Sequence, residues 1–275
     1  MAARTADRGQ GDLGPRVMAA VVLVPAAVAA TVAGGWVFAG LALAAALGLA
    51  WEWRAMTGAS AAVMGVGILA AWSMGVWVSI VAALGYVALF VGLTAALAFA
   101  ARARHGLLWA ALGIAYVALP MIALLGLRQR PHDGTAVVLF LFAVVWATDA
   151  GAYFVGRAIG GAPLAPRWSP RKTRSGALGG LAAAALVGIV AALAGLASNP
   201  WLALAVALAL SVAAQIGDLL ESIVKRRYHR KDSGRMIPGH GGLFDRLDSL
   251  LVAAPGMAVV MAAGGVTPWF LRGGL

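Results

Sequence analysis

Along most of this chain, apolar residues come in runs of about twenty, the number a helix needs to cross the hydrocarbon core of a bilayer. The runs fall at 17–34, 36–53, 60–78, 80–100, 107–127, 135–157, 176–197, 201–225 and 243–265. No strand-like alternation accompanies them, and lipid offers no partner to an open sheet edge. The pattern therefore predicts an all-α, polytopic membrane helix bundle of nine spans. Two boundaries are thin: Gly34 and Gly35 alone part the first two runs, and the third and fourth meet near Trp77–Ser79 without a charged break. Residues 1–16, with Arg4, Arg8 and Arg16, form a basic arm ahead of the first run. Arm and run together have the look of a secretory leader, but apolar runs continue through the whole chain, so the first is read as a retained span.

Composition agrees with a lipid solvent. Over 275 residues, 62% are hydrophobic and 11% charged, against roughly 25% charged in a soluble domain, and the mean hydropathy is +0.90. The chain has no cysteine, which excludes disulfides, thiolate metal sites and cysteine nucleophiles and leaves oxygen and imidazole as metal ligands.

The net charge is +11. With the N-terminus in the cytoplasm and nine alternating spans, 18 of the 21 Lys and Arg residues fall on the cytoplasmic side and three, Arg128, Arg130 and Arg272, fall outside. That asymmetry is the one cytoplasmic loops carry, and it predicts a C-terminus outside. The same basic surface would attract lipid headgroups and nucleotides. The bases are not interleaved with aromatics, so nucleic acid is not an expected partner. Residues 17–127 hold almost no ionisable group inside their spans and read as membrane scaffold. Residues 128–275 read as the catalytic region, with cytoplasmic loops at about 158–175 and 226–242.

Ten acids remain to be explained. Asp7, Asp12 and Asp133 lie in tails or loops, and Glu52, between Trp51 and Trp53, reads as an interfacial span end. Asp149, Asp218, Asp245 and Asp248 instead fall toward the cytoplasmic ends of spans six, eight and nine, where a carboxylate is costly and marks function. Asp245 and Asp248 are i,i+3 on one helix face, with Arg246 pointing elsewhere. Asp218 precedes Ser222 by one turn, with Lys225 a turn further. Three helices can thus aim acids at one place. A divalent cation, Mg²⁺ for an all-oxygen donor set, relieves their repulsion; pairing with nearby bases, as of Glu221 with Lys225, is the alternative.

The loops supply complementary groups. "SPRKTRSG" (Ser169–Gly176) carries Arg171, Lys172, Thr173, Arg174 and Ser175, and "KRRYHRKD" (Lys225–Asp232) carries five more bases. "PGHGG" (Pro238–Gly242) is a glycine turn at a helix start, suited to an anion. Its His240 serves as a base or phosphate donor, or fixes the turn. Phosphate binders beside a metal site are what phosphoryl or nucleotidyl transfer needs.

The stretch "SIVKRRYHRKDSGRMIPGHGGLFDRLD" (Ser222–Asp248) resembles the C-terminal signature of the phosphatidate cytidylyltransferases, or CDP-diacylglycerol synthases. Ser222, Lys225, Arg226, Lys231, Asp232, Gly234, His240, Gly241, Gly242, Asp245, Arg246 and Asp248 occupy its fixed positions. "GDLLES" (Gly217–Ser222) and "TDAGAYFVGRAIG" (Thr148–Gly160) extend the resemblance to about residues 140–250. It implies a reaction in which CTP and phosphatidate give CDP-diacylglycerol and pyrophosphate with Mg²⁺. It also implies a homodimer in the cytoplasmic (inner) membrane whose site faces the cytoplasm. Asp218, Asp245 and Asp248 would lie at the metal, with a second, monovalent cation such as K⁺, and Lys225 would join them in catalysis. The expected substrate-binding residues are Asp149, Ser169, Arg171, Lys172, Thr173, Ser222, Arg226, Lys231, Asp232, His240, Gly241, Gly242 and Arg246. One departure stands out: the family typically reads Ser-Pro-Lys-Lys-Thr-Trp-Glu-Gly where this chain has "SPRKTRSG", so Arg174 and Ser175 replace an aromatic and an acid.

Other readings fit less well. Transporters and channels also bury carboxylates, but these acids gather on one side and none lies at the midplane of a span. The Asp-rich motif of the CDP-alcohol phosphotransferases is absent. A polyprenol or dolichol kinase, also a CTP user, does not account for the intact signature.

Overall fold

Among the described residues, helices occupy each of the eight apolar runs that these residues cover. They are α1 (Leu13–Ala33), α2 (Gly35–Thr57), α3 (Ala61–Trp77), α4 (His105–Arg128), α5 (Gly134–Ile159), α6 (Arg174–Leu193), α7 (Pro200–Arg227) and α8 (Phe244–Ala263). The computed structural model describes residues 13–77, 105–197, 199–234, 236 and 241–263. The expected span at 80–100, the basic arm before residue 13, the C-terminal tail and His240 lie outside the described residues. Among those described, six helices, α2 and α4 to α8, are long and apolar enough to cross a membrane, while α1 and α3 carry shorter apolar stretches. The chain is a mostly helical, polytopic membrane protein.

The all-α expectation needs one correction. The loop at 158–175 contains a two-stranded antiparallel hairpin, β1 (Pro163–Ala165) and β2 (Ser169–Thr173), pairing Pro163 with Thr173 and Ala165 with Ser169. The hydropathy pattern could not reveal it, because three residues and five are too few to show a period. Outside lipid the hairpin can leave its edges to water, which a membrane-buried sheet cannot. Thr173 ends β2 and caps α6 by accepting from Gly176 N (3.0 Å), and the Ser175 hydroxyl donates to the Gly160 carbonyl at the end of α5. Ser175 therefore ties the two ends of the hairpin segment together.

Helix ends sort onto two sides. At one, Arg128 closing α4 donates through Nε to Thr31 O at the end of α1 (2.6 Å), and Gln129 donates to Gly75 O of α3 (3.0 Å). Cationic and amide donors there meet the carbonyls that a helix C-terminus leaves open. At the other side, Ser60 N ahead of α3 donates to Gly106 O at the start of α4 (3.2 Å), and Arg230 beyond α7 donates to Ala55 O at the end of α2 (2.9 Å). The second side also holds the hairpin and the start of α8. It carries nearly all the bases of the described residues, including Arg54, Arg157, Arg171, Lys172, Lys225 and Arg246.

Packing proceeds as a chain of neighbours. α5 lies along α6, α6 along α7, and α7 along α8, while α4 joins α8 to α2 and α3. A buried core of Phe38, Leu49, Met64, Ile68, Ile114, Leu141, Leu210 and Met257 runs through it. Large apolar side chains such as Val22 (65% exposed), Leu178 (66%) and Leu193 (84%) face outward, as expected where the surroundings are lipid. The α5–α6 contact depends on small residues: a Cβ on Gly151 would stand 2.6 Å from Gly179 O and 2.7 Å from the Ala183 methyl. Gly151→Val is expected to destabilise the protein by about 1–3 kcal/mol through overpacking, seen as a lowered thermal midpoint in detergent. Gly40→Ala on α2, with nothing within 4 Å of the added carbon, is expected to leave that midpoint unchanged.

Candidate active site

On the basic side, α7, the first turns of α8, the last turns of α2 and strand β2 converge. Helical spacing aligns Asp218, Glu221 and Lys225 along one face of α7 and Asp245 with Asp248 on one face of α8. Gly217 lets the helices touch, since a Cβ there would strike the Asp248 backbone carbonyl. The close crossing brings one oxygen from each of Asp218, Glu221 and Asp248 within 4.8 Å of one another.

These acids exceed their counter-charges. Lys225 Nζ bridges Glu221 Oε2 (2.6 Å) and Asp245 Oδ1 (2.7 Å). Lys172, presented by β2, ion-pairs with Asp218. Asp248 Oδ1 accepts from Ser249 N (2.7 Å), and the Ser249 hydroxyl donates to Asp149 Oδ1 (3.0 Å). The second Glu221 oxygen, Oε1, is buried without a hydrogen-bond partner. Two ammonium groups thus face Asp149, Asp218, Glu221, Asp245 and Asp248, and a buried acceptor is left open beside the other carboxylates. An all-oxygen group of this kind fits a hard divalent cation. It is the one group of three or more acidic or imidazole side chains with such spacing among the described residues.

Asp245, expected at the metal, is not one of those three side chains. Its carboxylate accepts from Gly242 N (2.9 Å) and Ser233 N (3.1 Å) as well as from Lys225. Next to it is Glu52, which sequence reasoning assigned to a membrane interface. Glu52 is 2% exposed and accepts from Leu243 N (2.9 Å) and Phe244 N (2.8 Å), the opening amides of α8. The Ser233 hydroxyl lies between the two acids, 3.1 Å from Glu52 Oε2 and 3.0 Å from Asp245 Oδ2, and its one proton serves one of them at a time. Gly234 and Gly242 make room: a Cβ on either would come within 2.5 Å of a Glu52 carboxylate oxygen. Beneath this point Phe244 stacks on Tyr116 (5.6 Å between ring centres) and meets Trp53 (5.9 Å).

The remaining expected residues divide. Arg226 clamps the hairpin to α7, donating to Trp168 O (3.4 Å) and Arg230 O (3.2 Å). Thr173 is the α6 cap. Ser169 opens β2, Ser222 is buried on α7, and Arg171, Lys231 and Asp232 are exposed. Gly241 adopts φ +82° beside Asp245. Asp149 and Arg246 line an apolar cavity on the far side of α8. Sequence reasoning missed Glu52, Ser233 and Ser249 and set Glu221 aside as a partner of Lys225. The signals available were an acid inside an apolar run for Glu52 and its i,i+3 spacing from Asp218 for Glu221.

Fold and site together define a membrane-embedded protein that gathers carboxylates, two lysines and a basic hairpin at one end of its helices. Comparison with known sequences makes the assignment specific. A profile of the Cytidylyltransferase family matches residues 14–263, and the chain belongs to that family. A phosphatidate cytidylyltransferase of Brucella suis is 50% identical over 151 residues, which cover 55% of this chain and 56% of that protein. One from Staphylococcus epidermidis is 37% identical over 189 residues, covering 68% and 72%, and one from Bacillus subtilis is 40% identical over 137 residues, covering 50% and 51%. The chain thus spans little more than half the length of the Brucella relative it matches.

Glu52→Ala would leave two buried amides of α8 without their acceptor, at about 1–3 kcal/mol for each. The expected outcome is a marked fall in the thermal midpoint and faster amide hydrogen exchange in the first turn of α8. Ser233→Ala, which removes one shared proton, is expected to lower the midpoint by less.

Proposed function

We propose that this chain transfers CMP from CTP to phosphatidate, giving CDP-diacylglycerol and pyrophosphate for phospholipid synthesis. The observation that carries the proposal is the open Glu221 oxygen within the Asp218–Glu221–Asp248 group, flanked by Lys172 and Lys225 at the basic ends of apolar helices. Family membership and the signature at Ser222–Asp248 support the same reaction.

A phosphatidate oxygen attacks the α-phosphorus of CTP in line. The new P–O bond forms as the bond from the α-phosphorus to the bridging oxygen breaks, and that oxygen leaves with pyrophosphate. Asp218, Glu221 and Asp248 are assigned to Mg²⁺. Bound there, the cation would neutralise charge on the reacting phosphate oxygens. Asp245 is assigned to holding Lys225 and the Gly242 turn. Lys172, half-buried on β2, can exchange Asp218 for a phosphate, and Lys225 remains held between two acids as a fixed positive charge. The resemblance also implies a second, monovalent cation such as K⁺, for which no separate acidic group exists among the described residues.

The finer topology belongs to the same proposal: nine spans, an N-terminus in the cytoplasm, a C-terminus outside, and a site on the cytoplasmic face of the inner membrane. The concentration of bases at the site end, against Arg128 and Arg130 at the other, supports that orientation. Homodimeric assembly rests on the family resemblance.

Membranes containing the protein, given labelled CTP and phosphatidate, are expected to form lipid-linked CMP with Mg²⁺ and none with a chelator; no product from the unaltered protein sinks the reaction. Asp248→Asn and Glu221→Gln are each expected to lose about 100-fold or more in kcat/KM, and full activity in either removes it from the metal site. With CTP made chiral at the α-phosphorus, direct attack predicts inversion, and retention rejects it.

A further inference from the structure

Of the six long apolar helices among the described residues, α4 is the most enclosed, yet it brings one hydroxyl to the acidic trio. The Tyr116 ring stacks on Phe244 and is tilted against Trp53 (5.7 Å). Gly113, one turn earlier, admits the Trp53 indole; a Cβ there would stand 2.4 Å from Nε1. This packing fixes the ring, and its hydroxyl donates to Gly217 O at 3.5 Å. Gly217 precedes Asp218 and is where α7 touches the Asp248 backbone. Phe244, under the ring, is i,i+4 from Asp248 and shares its face of α8. The charges that bear on the Tyr116 phenol are those of Asp248, Glu221 and Asp218, the trio itself.

The hydroxyl is weakly employed by Gly217. Bonds of the O–H···O kind are ordinarily about 2.7–2.8 Å long, and this contact lies at the outer limit. The Gly217 carbonyl does not depend on it either, because within α7 that carbonyl meets the Glu221 amide four residues on. Tyr116 therefore holds a donor proton nearly in reserve. Beside it the carboxylates are short of donors, and Glu221 Oε1 has no hydrogen-bond partner. Carboxylates that ligate a metal are themselves held by hydrogen bonds from surrounding residues, and losing such a partner costs about 10–100-fold in metal affinity. Ser249 N is one such donor, to Asp248 (2.7 Å). The phenol stands ready as another, supplied from the scaffold half.

We propose that Tyr116 is a positioning residue for the divalent cation, its hydroxyl donating a hydrogen bond to the Asp218–Glu221–Asp248 carboxylates and so tightening their hold on the ion. The inference rests on the trio being the cation site. It gives a role to a helix that has no acid or base between His105 and Arg128 and reaches the site through a single phenol. The rival account is that the ring alone matters, as a shelf for Phe244 and the start of α8. The two accounts differ by one atom: Tyr116→Phe keeps the stack and removes the donor.

The full chain in nanodiscs, titrated with Mn²⁺ and followed by electron paramagnetic resonance, is expected to bind an ion that is lost in Asp248→Asn. Tyr116→Phe is expected to weaken that binding about tenfold while its thermal midpoint without metal stays that of the unaltered protein. Tyr153→Phe, which removes a hydroxyl that accepts from Arg157 (2.9 Å), is expected to bind Mn²⁺ as the unaltered chain does. Affinity unchanged in Tyr116→Phe, or weakened equally in Tyr153→Phe, overturns the proposal. Should Tyr116→Phe fail to fold, 3-fluorotyrosine at position 116 of the otherwise unaltered chain decides: its fluorine resonance is expected to shift when Mg²⁺ is added, and a resonance that stays in place overturns the proposal. No Mn²⁺ bound by the unaltered chain rejects the cation site and this inference with it. The titration needs no turnover, so absence of CMP transfer would reject the reaction while Tyr116 is judged on its own.

Discussion

A carboxylate carried out of water must be met by donors or by a cation, and the arrangement at the basic end of this protein follows from how six acids satisfy that demand. Glu52 is met by backbone amides. It comes from α2, yet it caps α8, accepting from Leu243 N and Phe244 N, where the helix dipole favours negative charge. Asp245 is met by Lys225, Gly242 N and Ser233. These two acids hold Ser233 and the residues from Gly242 to Phe244 against the scaffold. Phe244 is then pinned between Tyr116 and Trp53, and the orientation of α8 follows. Because Asp248 lies one turn beyond Asp245, its position relative to Asp218 is inherited from a glutamate in the scaffold half.

The other acids are not met in the same way. Asp218 has Lys172, Glu221 shares Lys225, and Asp248 and Asp149 are linked through Ser249. One Glu221 oxygen has nothing. Protein interiors rarely leave a buried acceptor open, and removing water strengthens repulsion among the neighbouring carboxylates. Structural acids of this protein are surrounded by donors; the trio is not. That contrast separates acids whose oxygens are already met by donors, Asp245 and Glu52 among them, from acids whose oxygens are not.

Much of this was legible in the sequence because lipid imposes a strong length rule. Eight apolar runs coincide with helices to within a few residues, and the i,i+3 spacing of Asp245 and Asp248 predicted a shared face. What stayed hidden depends on contacts distant in sequence. Glu52 meets its partners some 190 residues away, and its place between Trp51 and Trp53 made it look interfacial. Glu221 was hidden by its own neighbour: the i,i+4 pairing with Lys225 is real, but it occupies one oxygen and leaves the other without a hydrogen bond. The hairpin was too short to show a period. The unusual Ser175, which replaces an acid in the family pattern, makes sense in three dimensions, where its hydroxyl joins the end of α5 to the start of α6.

Helix α8 is also a partition. Its amphipathic character divides polar from apolar chemistry within the membrane itself. Asp245, Asp248 and Ser249 face α7, the hairpin and Asp149, whereas Leu243, Leu247, Leu250 and Leu251 face the cavity; Arg246 stands at the edge between them. A lipid phosphate has the same division built into it, a charged head on oily chains. A site for it must put cations and carboxylates within a few ångströms of an apolar space without letting that space desolvate the charges. One helix with acids on one face and leucines on the other meets the demand of the proposed reaction, provided its rotation about its own axis is fixed. Slipping by one residue would turn each side chain through about 100°, moving Asp248 out of the trio. The anchoring of its first amides by Glu52 and of its first ring by Tyr116 and Trp53 therefore keeps its acids on one face and its leucines on the other.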